Sequence, residues 1–516
     1  MTTTTSPIVQ TSAGAVRGTA DRDVLVFRGI PYGAPTSGAR RFRKPEPPAR
    51  WAGIRDALEF GPATPQEKPI ADTVVAQDED CLVLNVWTAS ADDGRKRPVM
   101  VWLHGGGFRN GVGATKASDG VNLVKRGDVV VVSLNHRLNV FGHLYLADLC
   151  GPDFDGSGLA GVLDIVLALQ WVRDNIETFG GDPANVTVFG VSGGGRKISV
   201  LLGMPEAKGL FHRGIIQSGA HPRGVSKEMA SGLAERMLHR ARLKPSEVAT
   251  LQAMPVQQVN DLIYGLIDDE ARQGLGTTRM ALSPVIDGTH LPAHPFGGAA
   301  APTAAGIPII IGTMKGEMGT YLVRTPALAE VTEAAVADLV RPVLGARTAE
   351  VMAVYQQNRP GITPYELLVA ITSEDRRLLS MHIAEQQSST APVYMYQNAW
   401  KSNAGNGMVG AGHGLDTPLG FGNGDGRPTL GTNPNRHEMA ALLADTWIAF
   451  ARTGNPNHPG IPTWPTFDPD ARQTMILDLP CHAEADPNGI ERRAWDGIAV
   501  NMPWEGPAFV GAFNAE

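Results

Sequence analysis

Short apolar runs alternate with helical patterns along this chain, and this alternation restricts the possible folds more than any other feature. The runs are "PVMVWL" (98–103), "DVVVVSL" (128–134), "VTVFG" (186–190), "GIIQSG" (214–219), "IPIIIG" (307–312) and "PVYMYQ" (392–397). Runs that are apolar throughout are typical of strands buried on both faces. The sequence therefore predicts an α/β fold with a largely parallel sheet covered by helices.

One segment between two of these runs has the pattern of a crossover helix. In "LDIVLALQWVRDNIETFGG" (163–181), Leu163, Leu167 and Trp171 follow one another at four-residue spacing. Apolar residues at that spacing form one face of a helix. Gly180 and Gly181 then provide a stop signal, so we predict an amphipathic helix that ends there.

The 516 residues contain no internal repeat and no long polar linker. From about 225 to 280 and from about 320 to 390 the sequence has helical patterns and lacks the apolar runs that are typical of strands. We interpret these two segments as helical insertions over the sheet. The expected organisation is thus a single catalytic domain spanning residues 1–516.

Composition excludes several classes of partner. With 43% hydrophobic and 19% charged residues, the chain can bury a large core. The net charge is −7 and no Lys/Arg run occurs, so we expect no nucleic-acid partner. We also recognise no secretion signal and no span of about 18 apolar residues, and therefore expect a cytoplasmic protein without a membrane partner. The three cysteines are far apart, which predicts neither a disulfide framework nor a metal site.

The first candidate catalytic residue is a serine among glycines. In "NVTVFGVSGGGRKISV" (185–200), Ser192 is the centre of a GxSxG motif between a predicted strand and a predicted helix. A turn this tight requires glycine two positions before and after the serine, here Gly190 and Gly194. The alternative is a glycine-rich turn that only packs a helix closely against a strand. The strand–turn–helix context favours a nucleophile.

A second glycine cluster follows another predicted strand, in "VWLHGGGF" (101–108). Without side chains, the backbone can turn N–H groups into a cavity, where they stabilise an oxyanion. We predict that Gly106 and Gly107, together with Gly193 after the serine, form an oxyanion hole. His104 is expected to be structural.

A serine nucleophile needs a base and an acid, which follow the serine in the chain for this architecture. His413 lies between glycines in a loop beyond the last predicted strand. Five other histidines beyond the serine lie in helical, strand-like or polar segments, where a structural role is favoured: His212, His239, His382, His437 and His458. For the acid, Glu317 follows a buried strand and Asp287 is the rival, so the local pattern leaves two candidates.

Eight long segments of the chain have the pattern of one family. They are "FRGIPYGAP" (27–35), "RFRKPEPPARWAG" (41–53), "EDCLVLNVW" (79–87), "HGGGF" (104–108), "LNHRL" (134–138), "ALQWVRDNIETFGGDPANVTVFG" (168–190), "GLFHRGIIQSG" (209–219) and "WIAFARTGNPN" (447–457). These segments resemble the type-B carboxylesterase and cholinesterase family, in the branch of bacterial p-nitrobenzyl esterases and carbamate hydrolases. The resemblance implies an α/β-hydrolase fold. It also implies that the acid is Glu317 and the base His413.

The departures from the family pattern are informative. Val191 replaces the usual glutamate before the serine, and glycines at 193 and 195 replace alanines. Thr64 stands where the family has the disulfide partner of Cys81, so we expect Cys81 to be a free thiol. No tryptophan occurs between residues 64 and 81 to bind a quaternary ammonium group. Lys197 opposes the helix dipole, and either a buried ion pair or a snorkelling surface position could explain it.

These residues lead to a functional hypothesis. We expect a serine hydrolase that cleaves uncharged, small-molecule carboxylic esters through an acyl-enzyme, with no cofactor and no metal. The same catalytic residues could cleave a carbamate, an activated amide or a lactone. A non-enzymatic binding protein is disfavoured because the serine, glutamate and histidine are all retained. Three apolar residues, Phe108, Leu415 and Phe421, are either the lining of a substrate pocket or ordinary core residues.

Overall fold

The computed structural model describes residues 6–67 and 75–500, and its strands form two sheets. The strands are β1 (Ile8–Gln10), β2 (Ala15–Arg17), β3 (Thr19–Asp21), β4 (Val24–Pro31), β5 (Ile54–Asp56), β6 (Val83–Thr88), β7 (Arg97–Leu103), β8 (Val130–Leu134), β9 (Gly181–Val191), β10 (Arg213–Gln217), β11 (Ile309–Met314), β12 (Val393–Asn398), β13 (Gln473–Leu477) and β14 (His482–Ala485). Strands β1, β2 and β5 make a small sheet of three strands.

The large sheet has eleven strands in the order β14-β13-β12-β11-β10-β9-β7-β8-β6-β4-β3. The pairs from β8 through β13 are parallel, while the edges of the sheet pair antiparallel. All six predicted runs contribute strands to this sheet, at β7 to β12. The α/β prediction is confirmed, and the buried runs occupy the parallel centre because both faces there are covered.

The helices connect and cover the strands. They are α1 (Val121–Gly127), α2 (Asn139–His143), α3 (Ala147–Cys150), α4 (Ala160–Asn175), α5 (Gly193–Leu201), α6 (Lys227–Ala241), α7 (Val248–Ala253), α8 (Val256–Arg272), α9 (Thr277–Ala281), α10 (Gly319–Leu322), α11 (Glu333–Leu344), α12 (Thr348–Asn358), α13 (Pro364–Gln387), α14 (Asp416–Gly420), α15 (Arg436–Thr453) and α16 (Gly489–Arg493). The segments 225–280 and 320–390 contain helices, as predicted. The single-domain organisation stays a prediction.

Side chains of the central strands alternate between two apolar clusters. On β7, Val99 and Val101 point into the cluster that contains residues of α4, such as Leu169. Their neighbours Met100 and Trp102 point to the opposite cluster, which contains residues of α15. This alternation follows from the two-residue period of a strand. The sheet is therefore covered on both faces, and functional groups are confined to its edges and loops.

The predicted crossover helix is α4, and the stretch around it is apolar enough to be compared with a membrane span. The helical stretch Pro152–Phe179, which includes α4, contains an 18-residue window with a mean hydropathy of 1.2 and resembles a membrane span in length and composition alone. The sequence expectation that no such span exists was therefore too strict. However, 83% of the apolar window is buried inside the protein, as in the core helix of a globular domain.

Cys81 is a free thiol, as expected, and the residue opposite it explains why. The Thr64 hydroxyl lies 3.2 Å from the Cys81 sulfur, within hydrogen-bond distance. Threonine thus occupies the place that a disulfide partner would need. Burial raises the pKa of Cys81 to about 12, so the thiol is protonated and unreactive at neutral pH.

Candidate active site

Ser192 lies at the sharp turn between β9 and α5. Its backbone has φ 54° and ψ −118°, a conformation that non-glycine residues rarely adopt. The two flanking glycines are required by contact with the end of β7. A Cβ atom on Gly190 would lie 2.6 Å from the carbonyl oxygen of Leu103, and one on Gly194 would lie 1.9 Å from the same atom. The predicted reason for the GxSxG glycines is therefore confirmed.

Backbone hydrogen bonds fix the position of this strained serine. The N–H of Ser192 donates to the carbonyl of Gln217 at the end of β10, at 2.7 Å. The carbonyl of Ser192 accepts from the N–H of Arg196 in the first turn of α5, at 3.0 Å. The helix therefore begins directly at the serine, and the positive end of its dipole faces any charge that develops there.

The glycine loop after β7 packs against the start of α5. Gly106 and Gly107 have φ of 94° and 65°, in the left-handed region that favours glycine. A Cβ on Gly193 would lie 2.3 Å from the backbone nitrogen of Gly107, so the loop and the helix N-terminus touch backbone to backbone. Within the described part of the chain, the N–H groups of these three residues have no hydrogen-bond acceptor. Three free donors in this arrangement can stabilise an oxyanion.

Glu317 and His413 are joined by two hydrogen bonds. The Glu317 side chain is fully buried just beyond β11, and its Oε2 accepts from Nδ1 of His413. The backbone N–H of His413 also donates to the Glu317 carbonyl, at 3.0 Å. The other carboxylate oxygen, Oε1, accepts from the N–H of Met314 at 2.9 Å. These contacts hold the imidazole in one orientation.

The charge state of Glu317 determines the tautomer of the histidine. Burial by itself raises the pKa of Glu317, but the adjacent His413 and the Arg376 charge outweigh it and lower this pKa below its ordinary value. The carboxylate is thus ionised at neutral pH and accepts hydrogen bonds only. The Nδ1 atom of His413 must therefore carry a proton, which leaves Nε2 as the acceptor in the neutral ring.

One residue connects the serine turn with the histidine loop. Gln217 accepts from the N–H of Ser192, and its Nε2 donates to the carbonyl of Asp416 at 3.3 Å. Asp416 is three residues beyond His413, so both loops lie over the end of β10. Among the described residues, no hydrogen bond joins the Ser192 hydroxyl to His413, and that contact stays a prediction. Such bonds are often long in enzymes without substrate.

The rival acid, Asp287, has a different set of partners. Its Oδ1 accepts from the N–H groups of Thr289, His290 and Leu291, at 2.9, 2.8 and 3.0 Å. This is the pattern of an aspartate that stabilises a turn. The structure thus favours Glu317 over Asp287 on geometry, in agreement with the family resemblance.

The residues predicted to line a pocket are all buried. Phe108 is 2% exposed, and its ring contacts those of His143 and His221. Phe421 is fully buried between the rings of Trp102 and Phe189, and Leu415 belongs to the same cluster. This burial fits the alternative that Leu415 and Phe421 are core residues. Their role as a pocket lining stays a prediction.

Lys197 occupies a position that neither sequence-based alternative describes. Its side chain is fully buried on α5 and makes no ion pair among the described residues. Instead, Nζ donates to the carbonyl of His104 at 3.1 Å.

A second residue that the sequence analysis missed is Asp416, a buried acid that accepts from the Tyr396 hydroxyl at 2.8 Å. The only sequence signal for it was its place three residues after His413.

Three features of the site together define a class of enzyme. They are a serine on a strand–helix turn, free glycine N–H groups beside it, and a histidine held by a buried glutamate. The class is that of α/β-hydrolases with a serine nucleophile. A family model described as the carboxylesterase family matches residues 5–491. The chain belongs to the carboxylesterase family, which confirms the resemblance drawn from its motifs.

Individual relatives are similar to this chain in sequence over almost its whole length. The para-nitrobenzyl esterase of Bacillus subtilis is 35% identical over 95% of this chain and 98% of its own. The phenmedipham hydrolase of Pseudarthrobacter oxydans is 32% identical over 92% of this chain and 95% of its own. Among solved structures, a Geobacillus stearothermophilus carboxylesterase at pH 6.2 superposes with a TM-score of 0.82, at 35% identity, over 95% of this chain and 99% of its own.

Proposed function

We propose that this protein is a serine hydrolase that cleaves neutral carboxylic esters through an acyl-enzyme. The observation that carries the proposal is the hydrogen bond from His413 Nδ1 to the buried Glu317 carboxylate. This bond leaves Nε2 as a base, in a loop that Gln217 ties to the Ser192 turn. Free N–H groups of the glycine loop lie against the start of α5, directly after that turn.

The acylation step uses each of these groups. The Ser192 oxygen attacks the ester carbonyl carbon while His413 Nε2 takes the hydroxyl proton. The carbonyl oxygen becomes an anion and accepts from the N–H groups of Gly106, Gly107 and Gly193, each of which contributes roughly 3 to 4 kcal/mol to a transition state of this kind. The tetrahedral intermediate then collapses. The alcohol leaves with the proton that the imidazolium returns, and the acyl group stays on the serine.

Deacylation repeats the sequence with water. His413 takes a proton from a water molecule, and the resulting oxygen attacks the acyl carbon. The same N–H groups bind the second oxyanion, which collapses to a carboxylic acid and free Ser192. Glu317 stays ionised throughout and stabilises the imidazolium in both steps.

The residue before the serine supports uncharged substrates. Val191, where the family pattern has glutamate, is 5% exposed and packs in the apolar cluster of the sheet. It offers no negative charge to a cationic alcohol group. We therefore expect a preference for neutral esters over choline-type esters with the same acyl group.

A carbamate is the second candidate substrate class. One relative over most of the chain is a phenmedipham hydrolase, and phenmedipham is a carbamate. Serine attack on a carbamate carbonyl needs the same base and the same oxyanion donors. The two classes differ in the leaving group and in how fast water clears the acyl-enzyme.

The test uses two serines of one region. Ser192→Ala removes the nucleophile, whereas Ser199→Ala removes a buried hydroxyl on the same helix that accepts from His221 N–H and donates to the carbonyl of Gly195. We expect Ser192→Ala to lose p-nitrophenyl ester turnover by about 10⁶-fold and Ser199→Ala to keep it within about 3-fold. Undiminished turnover in Ser192→Ala would refute the assignment.

Labelling and a substrate panel complete the test. An organophosphate should modify the wild-type protein once, at Ser192, and should leave Ser192→Ala unmodified. Steady-state kcat/KM for matched neutral, cationic and carbamate substrates then ranks the substrate classes, since specificity is a ratio of these values. No labelling of the folded wild type would favour a binding protein without catalysis.

A further inference from the structure

The buried Lys197 contacts both ends of the glycine loop. Its Nζ donates to the carbonyl of His104, the first residue of the loop, at 3.1 Å. The same Nζ lies 5.9 Å from the ring centre of Phe108, which ends the loop, within cation–π distance. The two candidate oxyanion donors, Gly106 and Gly107, lie between these contacts.

Lys197 also belongs to the helix that begins at the nucleophile. It lies five residues after Ser192 on α5, with its side chain fully buried. One side chain therefore joins the rigid element that carries the serine to the loop that carries the oxyanion donors. The loop has a second support, because the His104 ring stacks on that of His136 with centres 4.8 Å apart.

The charges around Lys197 do not favour an ammonium ion. Arg196 is its cationic neighbour on the same helix, and the buried histidines His104, His136 and His143 lie close enough that Lys197 lowers the pKa of each. No carboxylate in the described parts of the chain forms an ion pair with it. Burial, followed by the charge of Arg196, lowers the pKa of Lys197 to about 7.

A lysine in this position weakens the fold, so stability does not explain it. Burying a cation without a carboxylate is unfavourable, and an apolar side chain of similar length would fill the space without that penalty. What an apolar side chain cannot supply is a donor to the His104 carbonyl. That hydrogen bond is strongest when the donor is an ammonium ion.

We propose that Lys197 is a positioning residue for the oxyanion hole. Its ammonium group holds His104 and Phe108, and thereby Gly106 and Gly107, at a fixed distance from Ser192. This inference rests on the proposed ester hydrolysis and adds a residue to it. Because the amine loses its proton near neutral pH, the contribution is largest in mildly acidic solution and weakens as the pH rises.

Three variants test the proposal. Lys197→Met keeps the length without a donor, Lys197→Gln keeps an uncharged donor, and Ile198→Val is the control, a small core change at the next position of the same helix. We expect Lys197→Met to lower kcat by about 10- to 100-fold with KM within about 3-fold, as for a misplaced transition-state contact. Lys197→Gln should be intermediate, and Ile198→Val should match the wild type.

The pH profile separates positioning from a merely structural role. The ratio of wild-type to Lys197→Met kcat should be largest below pH 7 and should decrease by pH 9, where wild-type Lys197 is a neutral amine. Unfolding midpoints should show that both lysine variants are at least as stable as the wild type at pH 6. If Lys197→Met does not fold, Lys197→Gln provides the same comparison.

Two results would overturn the inference: an unchanged kcat in Lys197→Met, or a loss of the same size at every pH. Failure of the proposed function gives a different pattern. In that case the wild type is not labelled by an organophosphate, or Ser192→Ala keeps its turnover. Stoichiometric labelling of Ser192 together with full activity of Lys197→Met would reject the role of Lys197 alone.

Discussion

Glu317 accepts two hydrogen bonds from one residue, His413, through its carboxylate and through its backbone carbonyl. The two residues are 96 positions apart in sequence, and this double contact fixes the imidazole ring relative to the end of β11. Glu317 also makes a third hydrogen bond, in which its Oε1 accepts from the N–H of Met314. Both carboxylate oxygens are therefore in use.

The first prediction concerns Glu317→Gln. Glutamine has only one carbonyl oxygen, so it cannot accept from both Met314 N–H and His413 Nδ1. If the oxygen turns to Met314, the amide N–H₂ faces Nδ1 and forces the proton onto Nε2, where it blocks the base. We expect kcat for p-nitrophenyl esters to decrease by about 10⁴-fold with KM nearly unchanged.

Asp287→Asn is the matched control, since it makes the same change of carboxylate to amide at the rival acid. Its single carbonyl oxygen can still accept from the three N–H groups that Asp287 Oδ1 binds. We expect kcat to stay within about 3-fold of the wild type, as for a residue outside the reacting group. Loss of activity in Asp287→Asn with activity retained in Glu317→Gln would reverse the assignment of the acid.

The second prediction concerns Gly193→Ala. A Cβ at this position would lie 2.3 Å from both the nitrogen and the carbonyl oxygen of Gly107, so the glycine loop must move away from α5. A displacement of about 1 Å at a catalytic contact costs about 10²-fold in rate, and we expect a decrease of that order in kcat.

Gly232→Ala is the control for this substitution. It lies within helix α6, where a new Cβ meets only the Nη1 atom of Arg236 at 3.5 Å, an ordinary contact. Alanine is also the better helix former, so Gly232→Ala should keep its activity and should not lose stability. Unchanged kcat in Gly193→Ala would show that the loop does not depend on its close approach to the helix.

The sequence predicted those features that local chemistry determines. The central strands were recognisable because burial on both faces makes them apolar throughout, and the glycines around Ser192 followed from the geometry of a tight turn. Edge strands such as β3 and β14 were missed, since their residues do not form continuous apolar runs. The choice of Glu317 over Asp287 came from the family pattern, because the sequence around each of these residues is compatible with a loop after a strand.

Contacts between distant segments were beyond the reach of the sequence. Lys197 could have faced solvent or a carboxylate, and only the packing of α5 beneath the glycine loop places its Nζ at the His104 carbonyl. Phe421 follows the histidine loop, but it packs between Trp102 and Phe189 in the core. In both residues the side-chain environment is supplied by segments far away in the chain.

The third prediction concerns Thr64→Cys. The Thr64 hydroxyl lies 3.2 Å from the Cys81 sulfur, so a sulfur at that position needs only a small approach to form a disulfide. Closing a loop of this length stabilises a protein by about 3 kcal/mol. The substitution also removes the hydrogen bond from Thr64 to the His136 carbonyl, which contributes about 1 kcal/mol. We expect a net gain of about 2 kcal/mol after oxidation.

Thiol titration of the unfolded protein provides the measurement. The wild type has three cysteines, and oxidised Thr64→Cys should give two free thiols, since two of its four are then in the disulfide. Thr64→Ala is the control, because it loses the hydrogen bonds without gaining a thiol and should unfold more easily than the wild type. If oxidised Thr64→Cys shows four free thiols, the two side chains do not meet in solution.

The fourth prediction concerns the pH dependence of stability and Asp416. Burial, with a smaller contribution from the negative charge of Glu317, raises the pKa of Asp416 from its ordinary value of 3.8 to about 6. The folded protein therefore binds a proton in the range between these values, where the unfolded chain has released it. It follows that the free energy of unfolding decreases as the pH rises from below 4 to above 6.

Asp416→Asn keeps an oxygen that can accept from the Tyr396 hydroxyl but cannot ionise, so it lacks this dependence. Between pH 4 and pH 8 the wild type should lose about 2 kcal/mol of stability relative to Asp416→Asn, because a pKa shift of about two units corresponds to about 3 kcal/mol in full and part of it is already lost at pH 4. Urea unfolding of both proteins at several pH values gives this difference. Tyr396→Phe removes a donor that stabilises the Asp416 carboxylate, so it should raise the pKa of Asp416 further. The free energy of unfolding of this variant should therefore continue to decrease at pH values above those of the wild type. A difference between wild type and Asp416→Asn that is constant with pH would mean that Asp416 is ionised alike in the folded and unfolded states.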